Sequence, residues 1–161
     1  MVAGVWLQFK AARSVKQSDL GLTMKLHAYL TFNGDCEAAF KFYEQCLGGK
    51  IEYMVTHAGT PAEQQVPAEW RDKILHACLT IGEQELLASD ATPESYQKPK
   101  GFFVHLQMKD PAEAERIFHE LAAGGTIQMP IQKTFWALSF GMLVDRFGIP
   151  WLVNCEAAEE T

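Results

Sequence analysis

Apolar residues recur at two different spacings along the chain, and the two spacings alternate. Runs with apolar residues at every second position predict short strands. They lie at roughly His27–Phe32, Ile51–Thr56, Ile74–Ile81 and Glu85–Ser89, and again at Phe102–Met108, Ile127–Met129, Phe140–Val144 and Trp151–Cys155. After the first strand of each set, apolar residues follow helical spacing, which predicts amphipathic helices over Cys36–Leu47 and Ala112–Ala123. Each set therefore has the order βαβββ.

The two predicted helices belong to an internal repeat. Cys36–Ile51 aligns with Ala112–Ile127 at an offset of 76 residues, and seven of the sixteen positions are identical, including a Gly-Gly pair after each helix. Such a dense match predicts two copies of one supersecondary unit. Asp110 is the predicted N-cap of the second helix, with Glu113 at the capping-box position, and each Gly-Gly pair suits a left-handed helix end.

The predicted fold is α+β, with two tandem βαβββ modules whose curved mixed sheets form a cup. We assign residues 24–90 to module one, 91–100 to a linker and 101–155 to module two. Residues 1–23 are predicted to be an extension outside the fold, and residues 156–161 a tail.

Composition and charge narrow the range of partners. The chain has 161 residues, 48% of them hydrophobic, which suffices for one domain with a sizeable core. Its net charge of -6 argues against nucleic acid, and it has no apolar run of the roughly 18 residues that span a bilayer. The four cysteines form no C-x-x-C pair, so we expect reduced thiols and a cytoplasmic protein.

The alternation of the strands also predicts which side chains face the cup. Ten residues are expected to line it, and they combine aromatic, amide, hydroxyl, thiol and imidazole groups. They are His27, Tyr29, Thr31, His76, Cys78, Phe103, His105, Gln107, Trp136 and Asn154. Two interpretations of the three histidines of this set stay open: they face one cavity and form a catalytic or unusual metal site, or they hydrogen-bond to neighbouring side chains or water.

Four further residues receive structural interpretations. Cys36 lies on the apolar stripe of its helix and is predicted to be a packed, unreactive thiol. Glu85 and Asp90 are interpreted as solvated strand-end carboxylates, and His57 as a surface residue.

Three segments resemble the PhnB-like branch of the vicinal oxygen chelate superfamily. They are Leu26–Tyr43 (LHAYLTFNGDCEAAFKFY), Thr134–Trp136 (TFW) and Phe140–Cys155 (FGMLVDRFGIPWLVNC). That superfamily contains glyoxalase I, extradiol dioxygenases, fosfomycin-resistance transferases and bleomycin-binding proteins, so the resemblance implies the fold more firmly than an activity. Relatives of this kind are usually dimers, and we expect a homodimer.

The resemblance also implies where a metal would bind. Metal-using members take four ligands from the first and last strands of each module. His27 matches the first ligand, whereas Phe103 stands at its counterpart in module two. Four residues beyond the turn glycines, the carboxylate positions hold Leu86 and Leu152, although a shift of one residue would substitute Glu85 for Leu86. We therefore expect no metal cofactor, with His27 as the one remaining candidate ligand.

Three functions remain open at the level of sequence. The first is the binding of a small organic molecule in the cup without the usual metal. The second is a metal-dependent or histidine-dependent lyase, isomerase or dioxygenase-like enzyme. The third is a structural or regulatory dimer with a vestigial pocket. The sequence does not decide whether a reaction is catalysed.

Overall fold

The structure, a computed structural model, describes residues 24–156, which form the order βαβββ twice. The strands are β1 (Ala28–Phe32), β2 (Lys50–Thr56), β3 (Ile74–Ile81), β4 (Gln84–Asp90), β5 (Val104–Met108), β6 (Thr126–Gln132), β7 (Ala137–Val144) and β8 (Pro150–Glu156). The helices are α1 (Cys36–Leu47) and α2 (Pro111–Ala122), and two short 3-10 helices, Pro61–Gln65 and Ala68–Trp70, lie before β3. The predicted extension 1–23 and residues 157–161 of the predicted tail lie outside the described residues.

Each module forms one four-stranded sheet with the same topology. Sheet one has the order β1-β4-β3-β2, and sheet two has the order β5-β8-β7-β6. The first strand of each module pairs in parallel with the last, and the other pairings are antiparallel. The predicted α+β fold of two βαβββ modules is therefore confirmed, with sheets that do not close into a barrel.

The last three strands of module two are longer than predicted, whereas β5 begins two residues later than predicted, at Val104. β6 continues through Pro130 to Gln132, and β7 already begins at Ala137, so the predicted loop Ile131–Ser139 shrinks to four residues between the strands. Proline is tolerated here because β6 is the edge strand of its sheet and need not donate a ladder hydrogen bond on its outer side.

The predicted helix ends are correct in part. Gly48 ends α1 with a left-handed φ of 65°, and the Asp110 side chain accepts a hydrogen bond from the Ala112 amide at 3.0 Å. The predicted capping box is wrong, because the Glu113 carboxylate lies 2.6 Å from Arg116 instead. The glycine after Gly48 is needed for packing, since a Cβ on Gly49 would lie 2.6 Å from the backbone oxygen of Thr80.

The two modules share one core. α1 covers sheet one, α2 covers sheet two, and the helices also contact each other. Asp145 lies in the β7–β8 turn, is 3% exposed and contacts both modules. Its carboxylate accepts hydrogen bonds from the Tyr43 hydroxyl of α1 (2.5 Å), from Trp151 Nε1 (2.8 Å) and from the amides of Phe147 and Ile149. All its polar capacity is thus used, and the bond from Tyr43 ties module one to module two.

The side of each sheet that faces away from the helices is termed its open face. Core side chains such as Leu30 and Phe32 point toward α1, whereas Tyr29, which precedes Leu30 and faces the other side, is half exposed. The open faces therefore carry several large exposed side chains. They include Tyr29, Tyr53 and Val55 on sheet one, and Phe103 and Trp136 are exposed beside sheet two. Among residues 24–156, no helix is both long and apolar enough to cross a membrane.

Candidate functional site

The register between β1 and β4 decides which carboxylate lies beside His27. Ala28 pairs with Leu86, so the preceding residue, His27, lies opposite Glu85. His27 Nε2 is 3.2 Å from Glu85 Oε2, and both side chains are partly exposed. Leu86 is buried in the core. The alternative with Glu85 at this position is thus the correct one, and Glu85 is a partner of His27 rather than a simple solvated carboxylate.

An open cleft of about 540 Å³ lies where the edge of sheet one meets the edge of sheet two. His27 and Glu85 line its sheet-one side, and His105 and Gln107 line its sheet-two side. Apolar side chains form much of the remaining wall. They are Leu26, Ala28, Ile81, Leu86, Val104, Leu106 and Trp151. The cleft thus combines apolar walls with a few polar groups, as small-molecule sites commonly do.

The three predicted pocket histidines do not line one cavity. His27 and His105 line the cleft, whereas His76 lies on the open face of sheet one. Its ring nitrogens each contact a tyrosine hydroxyl at 3.2 Å, Nδ1 that of Tyr29 and Nε2 that of Tyr53. His76 therefore belongs to a separate cluster on the face that adjoins the cleft.

The other predicted lining residues lie along the open faces. Tyr29 and Thr31 line a smaller depression of about 140 Å³ beside the linker. Cys78 is buried on the open face of sheet one, opposite Tyr53 in the register. On sheet two, Asn154 donates to the Gln107 side chain at 2.7 Å.

The two predicted lining residues Trp136 and Phe103 lie beside sheet two. The ring of Trp136 packs edge-on against Phe140, with ring centres 5.5 Å apart, and is 41% exposed. Phe103 is 37% exposed and precedes β5. Both rings are accessible to a ligand, although neither lines the cleft.

Three interpretations of titratable side chains can be compared with their surroundings. Asp90 is buried, not solvated, because its carboxylate accepts from the amides of Cys36 (3.0 Å) and Ile74 (2.9 Å). His57 is also buried, with Nδ1 3.0 Å from the Lys73 carbonyl oxygen, so its surface assignment is wrong. Cys36 is fully buried as predicted, and burial, with Asp90 nearby, raises the pKa of its thiol far above the ordinary value.

The family's four-ligand metal site does not fit the residues present. His27 and Glu85 supply two ligands in module one. In module two, Val104 pairs with Trp151, so the equivalent positions one residue earlier are Phe103 and Pro150, which have no side-chain lone pair for a metal. No group of three or more His, Cys, Asp or Glu side chains suited to a metal occurs among residues 24–156.

Comparison with known proteins agrees with this architecture. The family model of the Glyoxalase/Bleomycin resistance protein/Dioxygenase superfamily matches residues 25–153, and the chain belongs to that superfamily. The resemblance read from the sequence is therefore confirmed at the level of the superfamily.

Three similar proteins illustrate how far the likeness extends. Protein YjdN of Escherichia coli K12 is 35% identical over 146 residues, which cover 86% of this chain and 99% of that protein. Protein PA1353 from Pseudomonas aeruginosa is 48% identical with a TM-score of 0.76, covering 83% of this chain and 98% of that one. The PhnB protein from Bacillus cereus shares the fold at 22% identity, with a TM-score of 0.69 and coverage of 82% and 99%.

Sequence reasoning missed Tyr53, and it gave Glu85 only as the alternative to Leu86. Counting four residues from the turn glycine assigned the carboxylate position to Leu86 instead of Glu85. In a strand, such an error of one residue moves the side chain to the other face. Tyr53 is the fourth residue of β2, whose register is interrupted by a bulge between Ile51 and Tyr53. The bulge breaks the alternation that would otherwise have identified it.

Proposed function

We propose that this protein binds a small, partly apolar organic molecule in the cleft between β1, β4 and β5, without a transition metal at the family's usual position. The observation that carries the proposal is the cleft itself. Its volume of about 540 Å³ is within the range of small-molecule sites, and its polar groups converge from both sheets.

The chemistry of the walls favours an organic ligand over an ion. Any ion held at the family's position would have His27 and Glu85 as protein ligands, fewer than the three that ordinary catalytic zinc sites use. Apolar walls instead stabilise a ligand by burial, and Gln107 and His105 can orient it through hydrogen bonds.

A variant with a filled cleft tests this proposal. Ala28 is exposed and lines the cleft, so Ala28→Trp should occupy it, whereas Ala58→Trp adds the same ring to an exposed loop away from it. We would screen a panel of small organic fragments by thermal shift in excess EDTA. Fragments that stabilise the wild type should stabilise Ala58→Trp equally and Ala28→Trp far less. Equal stabilisation of both variants would contradict the proposal.

We further propose that the protein is a homodimer in the cytoplasm. Exposed aromatic side chains on the open faces and the unpaired edges of open sheets are surfaces that a second copy would cover. The four free, buried cysteines are consistent with a reducing compartment. Sedimentation at micromolar concentration should show twice the 18.0 kDa chain mass, and a monomer alone would contradict the dimer.

One observation favours a second candidate, a histidine-dependent enzyme. His27 Nε2 lies 3.2 Å from Glu85 Oε2 inside the cleft, a spacing at which a carboxylate can orient an imidazole for proton transfer. Metal analysis of purified protein separates the two functions in part. Stoichiometric metal that is lost in His27→Ala would favour the metal-dependent form of the enzyme over metal-free binding.

A further inference from the structure

A hydrogen-bonded cluster spans the open face of sheet one. It consists of Tyr29 from β1, His76 from β3 and Tyr53 from β2, and is called the Tyr–His–Tyr bridge. Both ring nitrogens of His76 contact a phenol oxygen at 3.2 Å. The Tyr29 and His76 rings are nearly parallel, with centres 5.7 Å apart, and the Tyr53 ring is tilted by 47° at 5.5 Å. Three strands therefore contribute to one rigid polar group.

The register shows what the bridge covers. Tyr29 lies opposite Leu87, Leu87 opposite Cys78, and Cys78 opposite Tyr53, so the bridge extends over the whole width of the sheet. Cys78 is only 4% exposed beneath it, whereas Tyr29 and Tyr53 are 50% and 44% exposed. The phenol groups are thus presented to the surface while their hydroxyls are held by His76.

Counting protons shows what the bridge offers a ligand. A neutral imidazole has one N–H donor and one acceptor nitrogen. One tyrosine must therefore donate its hydroxyl proton to His76, and the other must accept the imidazole N–H. The second tyrosine does not use its own O–H on His76, whichever tautomer is present. When that tyrosine is Tyr53, Cys78 lies close enough to compete for the proton. Burial, followed by the nearby Cys78, raises the pKa of Tyr53, so that phenol stays protonated at neutral pH.

The charges around the bridge restrict the ligand further. Glu85 lies beside the row of Tyr29, and Glu52 lies on β2, where its carboxylate is 3.0 Å from Lys50. His27, next along β1, faces Glu85. Lys50 offsets the charge of Glu52, whereas Glu85, whose charge also helps to raise the pKa of Tyr53, disfavours an anionic ligand because like charges repel across a partly apolar surface. An uncharged acceptor is the complementary partner.

We propose that the Tyr–His–Tyr bridge is the polar anchor for an uncharged ligand bearing a carbonyl oxygen, which accepts the phenol O–H that His76 leaves free. The proposal rests on the small-molecule function above and names the class of ligand. Tyr29 follows cleft-lining His27 by two residues on the same strand face, so an anchored ligand extends toward the cleft.

Three probes of matched shape test the anchor: fluorenone, which has a carbonyl oxygen, fluorene, which has none, and fluorene carboxylate, which is anionic. Affinities are measured by ligand-detected NMR. We expect fluorenone to bind about tenfold more tightly than fluorene, the usual effect of one well-placed hydrogen bond. Fluorene carboxylate should bind more weakly than fluorenone.

Two variants locate the effect. The double variant Tyr29→Phe/Tyr53→Phe keeps both rings and removes both hydroxyls, and it should bring the fluorenone-to-fluorene ratio to about one while leaving fluorene affinity unchanged. Tyr96→Phe makes the same change in the linker and should keep the wild-type ratio.

Each outcome decides the question. If fluorene binds wild type as tightly as fluorenone, small-molecule binding stands and the anchor is overturned. An unchanged ratio in the double variant, or tighter binding of the carboxylate, also overturns it. If none of the three binds, the anchor is overturned for this class, and the fragment panel decides the function independently.

Discussion

The buried Asp145 cluster gives the sharpest prediction about stability, because one hydrogen bond there joins the two modules. Tyr43→Phe removes the hydroxyl that donates to Asp145 and leaves the ring in place. A hydrogen bond to a charged group is worth about 1.5–3 kcal/mol, so the free energy of unfolding should fall by about that amount.

Asp145→Ala should lower the free energy of unfolding further, because donors on both modules lose their acceptor. The Tyr43 hydroxyl and Trp151 Nε1 would be left in the core without their acceptor. At about 1–3 kcal/mol for each buried unsatisfied group, these two donors alone account for a loss of about 2–6 kcal/mol, against a typical total of about 5–15 kcal/mol. The amides of Phe147 and Ile149 also lose their acceptor and add to the loss. Tyr43→Phe should lower the free energy of unfolding less in the Asp145→Ala background than in the wild type, because there it removes a donor that already lacks its acceptor.

Urea unfolding at fixed protein concentration, followed by tryptophan fluorescence, measures these losses. Tyr96→Phe is the matched control, since it makes the same chemical change in the linker, and its effect should lie within about 0.5 kcal/mol. If Tyr43→Phe is as mild as the control, or if the two core substitutions are simply additive, the bond does not join the modules as described.

Three further predictions concern stability and reactivity. Gly125→Ala should lower the free energy of unfolding by about 3 kcal/mol, because the new Cβ would meet the backbone of Val144 and Asp145. Gly82 has open space around it and a φ of 59°, so Gly82→Ala should lower the free energy of unfolding by about 1 kcal/mol. Equal losses in urea unfolding would contradict this prediction. Asp90→Ala should lower the free energy of unfolding by about 2–6 kcal/mol, since the amides of Cys36 and Ile74 lose their acceptor. Asp72 is exposed, so Asp72→Ala is the control that should remain near wild type. The buried thiols should react slowly with an aromatic disulfide reagent at pH 8, because burial raises the pKa of Cys36 and raises that of Cys46 to about 12, so little thiolate is present. Full reaction in urea is the control, and rapid reaction of the native protein would show that the thiols are accessible.

The fold was predictable because its signals are local and duplicated. The repeat of Cys36–Ile51 in Ala112–Ile127 identified both modules, and Asp110 and Gly48 marked helix ends through their own backbone requirements. The length of β6 was not predictable, since Pro130 signals a strand end unless the strand is known to lie at a sheet edge.

For the candidate site, the sequence predicts on which face of a strand a side chain lies, but not which side chains contact each other. Alternation placed Tyr29 and His76 on the open face correctly, yet their contact crosses the intervening strand β4 and depends on strand order. The buried state of Asp90 has the same origin, because its donors, Cys36 and Ile74, are distant in sequence. Strand order and register are properties of the folded chain as a whole, and short-range patterns do not contain them.

An amide NMR titration of the protein with the best-stabilising fragment, recorded in excess EDTA, tests the central claim most directly. If the protein binds an organic molecule in the cleft without a metal, shift changes should concentrate on β1, β4 and β5, around His27, Glu85 and His105, and should be the same without the chelator. Shift changes centred elsewhere, or binding that disappears when EDTA is added and returns with a transition metal, would contradict the account.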